Sequence, residues 1–226
     1  MRRPNLVGAI VRLPEIYPGV APADTARVYR AAVAHAGAHL AFGGPRIDVA
    51  GFEPLAVALI SLIEDARVEA SAMAVMPGLR RLWLPFHTVA AGGANTAPRL
   101  MERLARALID PNFRDGDHWV EKGRRLFADA MAERPHDPAL SIDIGSILGR
   151  DLGQTRLPFN GKDHVVEPVY RDAGLREQHT DAPGTASGRV AHGAALNPRP
   201  SRVSRWRRRR SGFRRPASRR PAPGAC

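Results

Sequence analysis

Residues 54–77, PLAVALISLIEDARVEASAMAVMP, set the pattern from which the rest of the chain is read. From Leu55 to Ile63 every position but Ser61 is apolar, Pro54 suits the first turn of a helix, and Pro77-Gly78 supplies a stop. A helix that is apolar all round is buried, so this one is expected at the centre of a domain. Within six residues Glu64, Asp65, Arg67 and Glu69 then break the apolar run. A buried helix holds charges only where they are paired, bind something or reach the surface.

The neighbouring pattern is helical too. Asp24 is a candidate N-cap for a helix over Thr25–Phe42, ended by Gly43-Gly44, with Val28, Ala32, His35 and His39 on one face. The tight link that follows makes this helix and the central one an antiparallel pair, with the histidines near the charged turn. LRRLWLPFH predicts a short helix capping the core. Pro98–Asp110 is amphipathic, with Leu100, Leu104 and Leu108 inward and Arg99, Arg103 and Arg106 outward. Asp117 caps a helix from His118 to about Glu133, and Asp137-Pro138 opens another, expected to end near Leu148 before Gly149.

The flanks differ. Residues 1–22 are proline-rich and read as an extended arm or an edge strand over Leu6–Leu13. Residues 151–177 read as an extended linker segment, in which Val165, Val166, Val169 and Tyr170 are expected to form a strand. In residues 178–226, alanine, glycine, proline, arginine and serine make up 36 of 49 positions, with five large apolar residues, too few for a core. The expected fold class is therefore all-α: a bundle of five or six helices over residues 23–150, then the extended segment and a disordered basic tail.

Charge sharpens this division. The chain carries +12 overall, but 22 basic and 21 acidic residues precede position 178, against 12 basic and one acidic after it. The basic character thus belongs to the tail, and nucleic acid is expected to be bound only non-specifically, through it. Two lysines against 32 arginines, with the alanine- and proline-rich tail, match a GC-rich gene read out of frame, so the tail is expected to be a shifted reading frame or a degenerated gene end. Cys226 is the single cysteine, which excludes an intrachain disulfide and fits a reducing cytoplasm. No apolar run approaches the roughly 20 residues of a membrane span, so no membrane insertion is expected.

Two motifs carry candidate chemistry. HAGAH places His35 and His39 one helical turn apart, the spacing of two zinc ligands on one helix, and Glu64 or Glu69 on the next helix is a candidate carboxylate ligand. The set His35, His39 and Glu64 resembles a zinc-peptidase site without its general base, since Ala36 stands where that glutamate would be. The plainer alternative is that both histidines are packed residues hydrogen-bonded to Glu64 or Asp65. Glu64, Asp65, Arg67 and Glu69 read either as a ligand cluster or as an ion-pair network in which Arg67 bridges Glu64 and a second helix. The network is favoured.

Three stretches, ARVYRAAVAHAGAHLAFGGPR, SLIEDARVEASAMAVMPGLRRLWLPFH and DIGSILGRDLGQTRLPFNGKDHVVEPVYRD, together resemble the region upstream of the von Willebrand A domain in the NorD and CbbO family. The resemblance implies a non-enzymatic, cytoplasmic accessory protein. Its implied partner is a MoxR-type AAA+ ATPase, which remodels a target metalloenzyme through such adaptors: nitric oxide reductase for NorD, rubisco for CbbO. The A domain of the family binds a metal ion through Asp-x-Ser-x-Ser, a motif this sequence lacks. The arginine-rich tail stands where the linker and A domain would follow, so a truncated member is implied. No cofactor is implied for this region, zinc at the histidines being the alternative.

Overall fold

The computed structural model describes residues 3–172 other than 8, 9, 46, 163 and 166. Among the described residues a hairpin of β1 (Asn5–Val7) and β2 (Ile10–Arg12) precedes six helices: α1 (Thr25–Phe42), α2 (Pro54–Val75), α3 (Leu79–Trp83), α4 (Ala97–Ile109), α5 (His118–Glu133) and α6 (Ala139–Gln154). The fold is all-α. The expected disorder and frame shift of residues 178–226 lie outside the described residues.

Helix α2 is buried nearly all round, as its composition requires, and it separates two apolar clusters. On one side Leu59, Leu62, Ile63 and Ala66 meet Leu100 and Leu104 of α4, Val120 and Phe127 of α5, and Leu140, Ile144 and Leu148 of α6. On the other, Val68, Ala72 and Met73 meet Val28, Ala31 and Ala32 of α1, together with Trp83 and Tyr170. Indole nitrogens buried in these clusters are satisfied by backbone: Trp83 Nε1 donates to Ala31 O at 3.1 Å, and Trp119 Nε1 to Leu148 O at 3.2 Å. The charged turn of α2, residues 64–69, therefore lies inside the protein, beside the second cluster.

Several expectations need correction. The arm is a two-stranded hairpin with Leu6 opposite Val11, instead of a single edge strand. It is tied down beyond the hairpin by Tyr29 Oη, which donates to Pro14 O at 2.8 Å. Asp24 makes no side-chain cap, because a 3-10 turn over Pro22–Asp24 leads into α1. Arg103 is 2 % exposed, not outward, and is bonded through two nitrogens to Asp115, with Nε at 2.7 Å. Burying it is tolerable because a bidentate carboxylate answers the charge. Val165, Val169 and Tyr170 form no strand; Glu167–Arg171 is a bend and turn, which brings Tyr170 and Arg171 into the core.

The other correction concerns α6, which runs through Gly149 to Gln154. Two of its three glycines serve packing. A Cβ on Gly145 would lie 2.6 Å from Ile60 Cα, and one on Gly149 3.0 Å from Ala56 Cα. One turn earlier, Ser141 Oγ donates to Glu64 Oε2 at 2.7 Å. The antiparallel helices thus meet at 141/64, 145/60 and 149/56, one turn apart on each, and the small residues let their backbones approach. Gly145→Ala is expected to lower stability by about 1–3 kcal/mol through overpacking. Gly153→Ala, where no neighbour lies within 4 Å of the new Cβ, should be neutral or stabilising by up to about 1 kcal/mol. Urea unfolding of the two variants checks this contrast.

Candidate functional site

The charged turn of α2 is fully internal. Glu64, Asp65, Arg67 and Glu69 are 7, 2, 1 and 1 % exposed, so a docking role for their side chains is ruled out by burial. Glu64 and Arg67 form a fork-to-fork pair, Nε to Oε2 at 2.8 Å and Nη2 to Oε1 at 2.7 Å, and Arg67 Nη2 also donates to Phe42 O at 2.8 Å. The second helix that Arg67 reaches is α1, at its C-terminal carbonyl. A cation there also suits the negative end of the helix dipole. Burial pushes the Glu64 carboxyl up, but the hydrogen bonds from Arg67 and Ser141 and the arginine charge outweigh it and hold it below its ordinary value.

Three acids and one arginine on a buried turn leave charge to be answered from elsewhere. Arg171, 1 % exposed, supplies it: Nη2 donates to Glu69 Oε2 at 2.7 Å and Nε to Oε1 at 3.1 Å. Its Nε also lies 3.9 Å from Asp65 Oδ2. Tyr170 Oη donates its one proton to Glu69 Oε1 at 3.0 Å, so at its 3.1 Å contact with His87 Nε2 it must accept. This fixes His87 as the Nε2–H tautomer. Burial raises the Glu69 carboxyl, yet the Arg171 charge and the His35 and Arg171 contacts win and leave it well below the carboxylate range.

His35 and His39 project from α1 onto this turn, their rings edge to face at 4.7 Å. His39 Nε2 is 3.1 Å and His35 Nε2 3.7 Å from Asp65 Oδ1. His35 Nδ1 is 3.0 Å from Glu69 Oε1, though without the alignment of a good hydrogen bond. Burial disfavours a charge on His39, but the Asp65 hydrogen bond and the charges of Asp65, Asp172 and Glu64 prevail and lift it to about 9. The carboxylate expected to join the histidines, Glu64, is not the one that does: both its oxygens are taken by Arg67 and Ser141. Its place beside the rings is filled by Asp65 and Asp172, whose oxygens and the two ring nitrogens lie within 4.8 Å of one another. With Ala36 after the first histidine and Glu64 turned away, the peptidase-like arrangement has neither the expected base nor the expected ligand set.

Tyr170, Arg171, Asp172, His87 and Ser141 were not singled out from the sequence. The signal that could have found one of them is the charge deficit of the turn, three acids against one arginine, which demands a second buried cation. Arg171 also lines a cavity of about 20 Å³ with Ser61, Met101 and His164, room for one water. No protein-family model, curated protein or solved structure matches the chain.

The burial of His87 generates a pH dependence. Burial first, then the Arg171 and Arg106 charges, hold it down at about 3 against an ordinary 6.5. The unfolded chain therefore binds the proton that the folded one refuses, and the stability present above pH 6.5 is lost as the pH falls towards 3. Between pH 7 and 5 the loss should be about 2 kcal/mol, since each unit of fully developed difference is worth about 1.4 kcal/mol. Urea midpoints of wild type and His87→Gln across this window test it: the variant should show the smaller loss, by about that amount. Equal losses would place the titration elsewhere.

Proposed function

We propose that the described domain is a non-enzymatic adaptor that acts in the cytoplasm with a MoxR-type AAA+ ATPase on a target metalloenzyme, nitric oxide reductase or rubisco. One observation carries this reading beyond the resemblance itself. The three stretches that resemble the NorD and CbbO region are separated in sequence, yet they supply one polar core: His35 and His39 from the first, Glu64–Glu69 and His87 from the second, and Tyr170–Asp172 from the third. Residues that hold such a core together are those a shared domain would keep in common, which supports the reading. The same burial supports a role by surface contact, because the acids and bases of the turn are engaged with one another and not presented at an open cleft. No helix of the described residues is long and apolar enough to cross a membrane.

The reading predicts that the chain, immobilised with ATP present, retains a MoxR-type AAA+ ATPase from the same genome at a stoichiometry fixed by the ATPase ring. Retention should weaken when nucleotide is removed. An ATPase that passes through at micromolar concentration in either nucleotide state contradicts the proposal.

A further inference from the structure

The four groups at the junction of α1, α2 and the C-terminal end of the described chain have the composition and spacing of a metal site. Two are imidazoles and two carboxylates, a borderline nitrogen and oxygen set that suits zinc and its first-row neighbours. Bonds of about 2.0–2.2 Å at tetrahedral angles place neighbouring donor atoms roughly 3.3–3.6 Å apart. The observed separations, 3.1 Å from His39 Nε2 and 3.7 Å from His35 Nε2 to Asp65 Oδ1, bracket that value, and all four donors lie within 4.8 Å. Two further observations point into the cluster. His35 Nε2, in a residue 1 % exposed, is a buried polar atom without a hydrogen bond and lies 3.7 Å from Asp65 Oδ1. Behind the ring, Glu69 Oε1 sits 3.0 Å from His35 Nδ1, off hydrogen-bond alignment but on the side where an outer carboxylate orients a metal-bound histidine and leaves Nε2 as the ligand.

We propose that His35, His39, Asp65 and Asp172 form a mononuclear site for a divalent first-row transition metal, zinc foremost. The two arginines answer Glu64 and Glu69, while Asp65 and Asp172 bring carboxylate oxygens beside the two imidazoles. The ion draws together α1, α2 and the segment that follows Tyr170 and Arg171, so it acts as a clasp on the bundle. Binding needs both Nε2 atoms unprotonated, with the Nδ1–H of His35 directed to Glu69. The inference rests on the geometry of these four residues and not on the adaptor reading, and its test involves no partner protein.

The full chain, stripped with a chelator and titrated with zinc by calorimetry, should bind one equivalent. Thermal unfolding should move upward with zinc, because the ion binds the folded state. Asp172→Ala, which alters a partly exposed residue and keeps the folded circular dichroism spectrum, and His39→Ala should each weaken binding by at least the roughly 10- to 100-fold that loss of an outer-sphere partner costs. A His179→Ala, His192→Ala double variant outside the described residues should leave affinity unchanged. Cobalt(II) added to the stripped protein should develop visible bands that are lost in Asp172→Ala. No saturable binding at micromolar zinc, or binding that Asp172→Ala and His39→Ala leave intact, overturns the proposal.

Discussion

The bidentate pair between Glu69 and Arg171 is the contact on which the other polar interactions depend. Both residues are 1 % exposed, so each charge is tolerable only because the other is there. Arg171 arrives 102 positions later in sequence than its partner, so the pair fixes the end of the described chain against the middle of α2. Tyr170 and His87 are bonded in series to the same carboxylate, and His35 packs against it from α1. Losing Arg171 would leave a buried glutamate with the Tyr170 phenol donating to it. The cost of such an arrangement in desolvation explains why burial is the leading influence on Glu69, Tyr170, Arg171 and His87 alike.

The second constraint is the close seam between α2 and α6. Meeting points at 141/64, 145/60 and 149/56 place Ser141 beside Glu64 with no freedom to slide, because Gly145 and Gly149 sit against backbone. Helix packing therefore sets how the Glu64 carboxylate is presented to the Arg67 fork, and through Arg67 the position of the end of α1. That in turn aims His35 and His39 at Asp65. Apolar packing on one side of α2 thus determines the polar geometry on its other side.

How much of this is legible in the sequence depends on how local the cause is. Helix positions were read within a few residues because caps, stops and period act over one or two turns; Asp117, for example, accepts from both Trp119 N and Val120 N. The length of α6 was misread because Gly149 looks like a stop in one dimension, and only its contact with Ala56 reveals it as a packing residue. Arg103 was placed outside because its period allows it, while its partner Asp115 lies beyond the end of its own helix. In the site, the two histidines and the acids of the turn were visible as types and spacings. Which acid faces the rings was not: Glu64 and Asp65 are adjacent in sequence but point 100° apart on a helix, and Asp172 comes from a segment read as an extended linker. Non-local pairing of this kind leaves only a charge imbalance as its trace.

The most direct measurement of the central claim is a double-mutant cycle on Glu69 and Arg171, using Glu69→Gln, Arg171→Met and the double variant in urea unfolding. If the pair anchors the polar core, each single change should be strongly destabilising and the double variant should recover part of the loss, with a coupling energy of about 2–3 kcal/mol, near the upper end for residues in contact. Losses that add to within about 0.5 kcal/mol, as they do for independent sites, would contradict the account.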